Sequence, residues 1–382
     1  MKNIQVFKPI YRKQEILNQI GECLDKGWSG MGFKTDLFEE EFKKYTGFKY
    51  CYSLNSATAG LDLAVKQLKQ KYSWEDTDEI ITTPITFVSS NHSILYNHMI
   101  PVFSDIDESG CINPKDILKK INPKTKAIMF VGLGGNAGKL KEVIEIAKIH
   151  NLKLILDAAH CCGTLWKDTR KQIGTEEGID VTIFSFQAVK NLPTADMGAI
   201  CWNGENAEEL DKQSRRLGWL GITKSTFDRT TAQGSYKWHY EVNDLGYKYH
   251  NNSIMASIAL VSLKYLEQDN AYRRYLCDLY QDLLKDVVEF VPHNPDCISS
   301  RHLIQILVDK RDEVMLALNQ CDIFPGVHYR TNTLYPMYFM PEGSLPNAES
   351  FSNRTITLPL HMHLTVDDVK YVATKLKEIL NK

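Results

Sequence analysis

Apolar residues recur along this chain in two rhythms. Short unbroken runs at 48–54, 80–83, 102–103, 126–131 and 152–156 have the length and the β-branched and aromatic content of buried strands. Between them, stretches 37–45, 87–96, 114–120 and 140–149 space their apolar residues at the helical period. A further helix starts at Asn55-Ser56-Ala57-Thr58 and carries Leu61, Leu63, Ala64 and Leu68. Such alternation predicts an α/β chain whose mainly parallel sheet is covered by helices on both faces. Residues 181–201 read as strand, turn and strand: Val181, Ile183, Phe184 and Phe186 lead to Lys190, and Met197-Gly198-Ala199-Ile200 returns. Ahead of all this lie a charged opening segment and a glycine-rich turn, Gly27 to Gly32. From residue 254 a long amphipathic stretch leads to strands at 302–308 and 356–360 and a closing helix after Thr365. The expected organisation is a large domain over 1–253, then a linking helix and a smaller C-terminal α/β domain over 254–382.

Composition narrows the class. With 382 residues, 43% aliphatic and aromatic and 24% charged, the chain has the make-up of a globular protein with a sizeable core. Basic and acidic residues are mixed and the formal charge is −2, so there is no nucleic-acid footprint, and an anionic ligand must be held by a local patch. Nine cysteines without regular spacing imply reduced thiols. His160-Cys161-Cys162 lacks an accompanying Cys-x-x-Cys, so no metal is expected. No segment has the apolar core of a signal peptide or the ~18 apolar residues of a membrane span, so a cytoplasmic location and no membrane partner are expected.

Three features carry candidate chemistry. Lys190 sits among apolar residues; partial desolvation there disfavours its ammonium and frees the amine to attack a carbonyl, although a surface lysine in a hairpin turn fits equally. The small hydroxylated residues at 55–58 either cap their helix or leave its N–H groups open to a phosphate. Asp157 ends an apolar strand three residues before His160. It serves either as an N-cap or as the partner of a protonated ring nitrogen on a ligand. A strand-end carboxylate followed 33 residues later by a lysine that comes just after the strand-end Ser185 is the spacing of a pyridoxal phosphate site. A rival is Gly132-Leu133-Gly134-Gly135-Asn136-Ala137, which fits the Gly-x-Gly-x-x-Ala of a dinucleotide-binding oxidoreductase, with Asp157 near the ribose-binding position. That fingerprint normally follows the first strand of its unit, and here several strands precede it.

At this point the chain resembles the DegT/StrS family of sugar aminotransferases, pyridoxal-phosphate enzymes of the aspartate-aminotransferase fold. The likeness runs nearly end to end: 55–61 (NSATAGL), 84–88 (PITFV), 103–107 (FSDID), 125–128 (TKAI), 157–160 (DAAH), 185–190 (SFQAVK), 246–256 and 358–365 (LPLHMHLT). It implies that Lys190 is the Schiff-base lysine, that Asp157 pairs with the pyridinium nitrogen, and that Phe87 lies against the ring. His160 is implied near the ring hydroxyl, and Ser185, Thr58 and the Ala57 backbone at the phosphate. His328 and Tyr329 face the active site in this pattern. The implied partners are an amino-acid donor, glutamate, and a keto-sugar acceptor, nucleotide-linked or else a cyclitol or eight-carbon acid sugar. A homodimer with active sites at its interface is also implied.

The chain departs from the pattern in two places. Gln187 stands where the family often has histidine, which puts the substrate pocket in question. Gly246-Tyr247-Lys248 replaces Gly-Tyr-Asn, an asparagine that in the family reaches the partner subunit's cofactor phosphate; Lys248 can do the same with a full charge. Relatives that carry histidine at the lysine position are dehydratases, so Lys190 favours transamination. A non-catalytic binding or regulatory protein on the same fold is the alternative of another class. Arg215, Arg216, Trp219, Lys224 and Arg229 form a basic and aromatic region suited to a sugar diphosphate or to a solvated helix face.

Overall fold

The protein's structure, a computed structural model, describes residues 3–222 and 240–381. Seven strands form the central sheet: β1 (Tyr52–Leu54), β2 (Glu79–Thr82), β3 (Ile100–Phe103), β4 (Thr125–Val131), β5 (Lys153–Asp157), β6 (Val181–Ser185) and β7 (Gly198–Trp202). Their spatial order is β1-β7-β6-β5-β4-β2-β3. Neighbours are parallel except at β7, which runs antiparallel to both β6 and β1. The stretch 181–201 is thus an antiparallel strand pair with the lysine in its turn.

Each apolar strand feeds two cores because successive side chains point to opposite faces. Ile128 and Phe130 of β4, Leu154 and Leu156 of β5, and Phe184 of β6 pack with Phe38 and Phe42 on one face. Ala127 and Met129, Ile155, and Val181 and Ile183 pack with Leu61, Leu63 and Leu68 on the other. Helices α2 (Phe33–Thr46) and α3 (Ala57–Tyr72) supply those partners. Phe184 is wholly buried and meets the rings of Phe42 and Phe48 edge-on at 5.2 and 5.8 Å. Removing a ring so placed costs about 3–5 kcal/mol, so the strand that delivers Ser185 is firmly anchored.

The remaining helices of the sheet region are α1 (Lys13–Asp25), α4 (Ser89–Tyr96), α5 (Pro114–Lys120), α6 (Leu140–Ile149) and α7 (Ala207–Gly218). Helix α8 (Ser253–Leu284) is capped by Asn252, whose Oδ1 accepts from Met255 N–H at 3.0 Å. Its first half contributes Ala256, Ala259 and Leu266 to the sheet core, and its second half gives Leu276, Tyr280 and Leu284 to a separate core. There a three-stranded antiparallel sheet, Glu289–Phe290, Gln305–Leu307 and Thr355–Thr357, packs with α9 (Arg311–Asn319) and, beyond α10 (Pro346–Arg354), with α11 (Val366–Leu380).

Several boundaries differ from the sequence reading, each for a contact remote in sequence. The run 302–308 pairs only over Gln305–Leu307, because the Nδ1 of His302 bonds Asn191 and Leu303 N–H donates to Gly134 O instead of to a strand. Helix α2 starts at Phe33, four residues before 37, because the Thr35 hydroxyl accepts from Gly32 N–H at 3.0 Å and closes the first turn. The charged opening segment contains a strand, Ile4–Gln5, parallel to Ile323–Phe324, as well as α1. All nine cysteines are free thiols, and eight are buried. Among the described residues no helix is long and apolar enough to cross a membrane.

Candidate active site

Beyond the ends of β5, β6 and β4 lies a cavity of about 440 Å³. It gathers most of the candidates into one place: Ala57, Thr58, Phe87, Asp157, His160, Ser185, Gln187, Lys190, His328 and Tyr329 all line it. Ser56 of that helix start lines it as well, and so do Phe7, Thr86, Asp196 and His302, which the sequence did not single out.

The helix start of α3 forms one end. Ser56 is the N-cap, and its Oγ accepts from Ala59 N–H at 3.2 Å. That leaves the N–H groups of Ala57 and Thr58, the first two of the helix, at the cavity surface, where aligned peptide dipoles favour an anion. Gly198 makes the approach possible. A Cβ on it would lie 2.5 Å from Ala57 N and from Ser56 C, so only glycine lets β7 pass beneath the helix start.

Asp157 is 4% exposed, and both its oxygens are engaged: Oδ2 accepts from Ser90 Oγ at 2.7 Å and Oδ1 from Ala159 N–H at 3.1 Å. Burial pushes its carboxyl pKa up; the Ser90 and Ala159 donors and the nearby Lys190 oppose that. Ser90 is the functional neighbour that sequence reasoning missed. It stands three residues after Phe87, and its role is visible only once α4 is set against β5.

Lys190 is carried on a tight turn. Its N–H donates to Gln187 O at 2.8 Å, and Gln187 Oε1 accepts from Val189 N–H at 3.0 Å. The Gln187 side chain thus folds back to brace the lysine turn. The Nζ of Lys190 makes no hydrogen bond or ion pair among the described residues. Burial lowers its pKa from 10.5 to about 8, with the charge of Asp157 pulling the other way.

Three histidines form the opposite wall. The rings of His160 and His302 are 4.3 Å apart, and Phe7 stacks on His302 at 5.4 Å while meeting His328 edge-on at 5.3 Å. Burial lowers the pKa of all three, His328 to about 4, with the Lys190 charge contributing, so they are neutral at pH 7. Phe87, 58% exposed, presents a free apolar face to the cavity.

Other candidates lie elsewhere. Lys248 is outside the cavity of its own chain, with Nζ 3.7 Å over the Trp219 ring. Arg215 is bound internally: Nη1 meets the buried Glu39 at 2.8 Å, Nε meets Asp211 at 2.9 Å, and Nη2 donates to Cys51 O at 2.7 Å. Arg216 pairs with Asp244. Neither arginine lines the cavity of its own chain; Lys224 and Arg229 lie outside the described residues. The glycine turn 132–137 is wholly buried. A Cβ on Gly132 would meet Cys161 Sγ at 2.2 Å, and one on Gly135 would meet Ser300 Oγ at 2.5 Å. The N–H groups of Gly132, Gly134, Gly135 and Asn136 go to Asp157 O, His160 Nδ1, Gly132 O and Leu133 O, and the turn is walled in by Cys161 and Ser300, so the dinucleotide reading fails. Among the described residues no cluster of three histidine, cysteine or acidic side chains is placed to hold a metal.

The donor set fits pyridoxal phosphate. A helix N-terminus with free N–H groups suits a phosphate, a buried carboxylate suits a pyridinium nitrogen, and an unpaired amine of lowered pKa suits a carbonyl.

Known proteins bear this out. Residues 11–377 match the model of the DegT/DnrJ/EryC1/StrS aminotransferase family. The spore coat polysaccharide biosynthesis protein SpsC of Bacillus subtilis is 32% identical over 386 residues, 97% of this chain and 96% of SpsC. Helicobacter pylori PseC, an aminotransferase involved in the biosynthesis of pseudoaminic acid, superposes with a TM-score of 0.89 at 27% identity over 100% of both chains. Spr1654 of Streptococcus pneumoniae, in its PLP form, does so with a TM-score of 0.89 at 27% identity, covering 100% of this chain and 99% of Spr1654. The chain belongs to the DegT/DnrJ/EryC1/StrS aminotransferase family and is a pyridoxal-phosphate-dependent aminotransferase.

Proposed function

We propose that this aminotransferase moves the amino group of an amino acid, glutamate, onto a nucleotide-linked keto-deoxyhexose, yielding an amino-sugar for a cell-surface polysaccharide. The observation that carries the reading is the meeting of Lys190, Asp157 and the α3 N-terminus in one cavity. The sugar part is supported by the polysaccharide role in the name of SpsC and by the place of PseC in pseudoaminic acid biosynthesis.

When bound, pyridoxal phosphate supplies a carbonyl that takes up an amine and a protonated ring that draws electrons from the adjoining carbon. Ala57 and Thr58 N–H groups and the Ser185 hydroxyl would hold the phosphate, and Phe87 would pack against the ring. Asp157, kept from solvent and oriented by Ser90, would hold the proton on the ring nitrogen. With a pKa of about 8, roughly one Lys190 amine in ten is neutral at pH 7, against fewer than one in a thousand for an ordinary lysine. Nζ would therefore serve first as the nucleophile toward the carbonyl that the cofactor supplies and then, once free, as the base that takes the proton of the amino acid's α-carbon. Proton transfer by a placed group contributes about 100- to 10,000-fold in rate.

His328, Tyr329 and the free amide end of Gln187 face the substrate. A neutral histidine wall beside Phe7 suits a polyhydroxylated ring, with nitrogens for hydroxyl groups and an apolar face for ring carbons. A homodimer would bring Lys248 of one protomer to the phosphate of the other. The exposed Leu220, Val242 and Leu245 near that lysine support such an interface.

The test loads the enzyme with amine from glutamate, removes the 2-oxo product, and offers keto-sugars one at a time while the visible absorbance is followed. Return of the absorbance with nucleotide-linked keto-deoxyhexoses alone is expected. Return only with free keto-sugars, cyclitols or eight-carbon acid sugars would overturn the nucleotide-linked assignment.

A further inference from the structure

A second and far smaller cavity, of about 10 Å³, lies behind the lysine turn. The N-terminal segment from Phe7 to Ile10 covers it, and Asp269 and Arg273 of α8 form its floor beside the turn. The segment is held in place by Leu360 N–H, which donates to Val6 O at 3.1 Å. Arg273 is 6% exposed, and its guanidinium is poorly matched: Nη1 donates to Leu360 O at 3.1 Å, while the buried Nε has no acceptor. It meets no carboxylate among the described residues. A guanidinium taken out of water carries a desolvation cost that one carbonyl does not offset. Burial lowers its pKa to about 10, which still leaves it charged at pH 7.

The charge around this cavity does not balance. Its titratable side chains are Lys8, Lys190, Asp269, Arg273 and His361. Asp269, the one acid, gives both oxygens to Arg12, whose Nη1 and Nη2 donate at 2.7 and 2.5 Å, so that pair is neutral as a unit. His361 accepts from His363 N–H at 3.2 Å through Nδ1, and burial takes its pKa to about 4, so it is neutral at pH 7. What remains is positive: Arg273, Lys8 at the exposed rim, and the protonated share of Lys190. Size limits the occupant further. A volume of about 10 Å³ admits one body of the size of a water molecule. Phosphate, sulfate and carboxylates are too large. A halide ion is close to water in size and, unlike water, supplies the missing negative charge.

We propose that this cavity is a halide site, in which chloride sits against the Arg273 guanidinium. The site is separate from the large cavity and does not depend on what that cavity binds. The ion ties three parts of the chain together: the N-terminal segment, the lysine turn and α8. Phe7 borders both cavities, so the segment that the ion secures is the one that completes the active-site wall.

The test melts full-length holoprotein in sodium chloride, sodium bromide and sodium gluconate at equal ionic strength, gluconate being too large to enter. Bound cofactor keeps the halides from acting at the α3 N-terminus. Chloride and bromide should raise Tm over gluconate in a saturable way, by roughly 1–3 °C at ten times Kd. Arg273→Met should lose that difference. Wild-type crystals soaked in bromide and measured at the bromine edge read the site directly, even where the variant does not fold, and an anomalous peak beside Arg273 is expected. Equal melting in the three salts, or a halide difference that persists in Arg273→Met, overturns the proposal. So does density beside Arg273 without a bromine signal, which marks a water molecule.

Discussion

Gly198→Ala probes the geometry of the phosphate end with one methyl group. Gly198 opens β7 and lies opposite Leu54 and Ser185. The added Cβ would stand 2.5 Å from Ala57 N, 2.5 Å from Ser56 C and 2.8 Å from Ala57 Cα. These are backbone atoms and cannot rotate aside. Carbon contacts relax at about 3.5–4.0 Å, so the start of α3 must retreat by roughly 1 Å. Overpacking of this kind costs about 1–3 kcal/mol of stability. The same retreat withdraws the Ala57 and Thr58 N–H groups from an anion. Losing one charge-assisted bond is worth about 1.5–3 kcal/mol, which is roughly 10- to 150-fold in Kd. Equilibrium titration of apoprotein with pyridoxal phosphate, followed by absorbance, reads the affinity, and a thermal melt reads the stability. Gly21→Ala is the matched control. A Cβ there meets nothing within 4 Å, and alanine inside α1 should stabilise by about 0.5–1 kcal/mol with no change in Kd. An unchanged Kd in Gly198→Ala would refute the phosphate cradle at α3, whatever the melt shows.

Uptake of cofactor by apoprotein needs a neutral amine, so with the Lys190 pKa near 8 its rate should climb about tenfold per pH unit and level off above 8. In Asp157→Asn the anion that favours the ammonium is gone, and the break should move to lower pH; a wild-type break near 10.5 would contradict the buried amine. Arg215→Met leaves the buried Glu39 without its cation, yet Arg215 is 41% exposed and screened, so a loss of about 1–3 kcal/mol in melting is expected with unchanged substrate KM. A raised KM with an unchanged melt would place Arg215 at the sugar diphosphate instead. A thiol reagent should react quickly with Cys321 alone in the native protein and with nine thiols after unfolding; fast native reaction of several would show that the buried cysteines are open.

What the chain reveals before folding is whatever its local periodicity encodes. The buried strands around Asp157 and Ser185 are apolar on both faces because helices cover both, and such runs are visible in sequence. Lys190 is legible because its turn interrupts two such runs. What stays hidden depends on distant partners. Phe7 enters the cavity only because Ile4–Gln5 pairs with Ile323–Phe324, and two paired residues leave no periodic trace. His302 joins the wall because Asn191 holds its Nδ1. The glycine turn matched a dinucleotide fingerprint letter by letter. Ser299 to Leu303, some 165 residues away, fill the space that a pyrophosphate would need. Lys248 shows the limit from the other side, since its expected target belongs to a second chain.

Lys190 is proposed to hold the cofactor through its Nζ, and that bond can be trapped. Reducing the holoprotein with borohydride fixes the covalent link, and digestion with mass spectrometry then finds it. A pyridoxyl mass on Lys190 and on no other lysine is expected. The same mass on a different lysine, or on none, would contradict it.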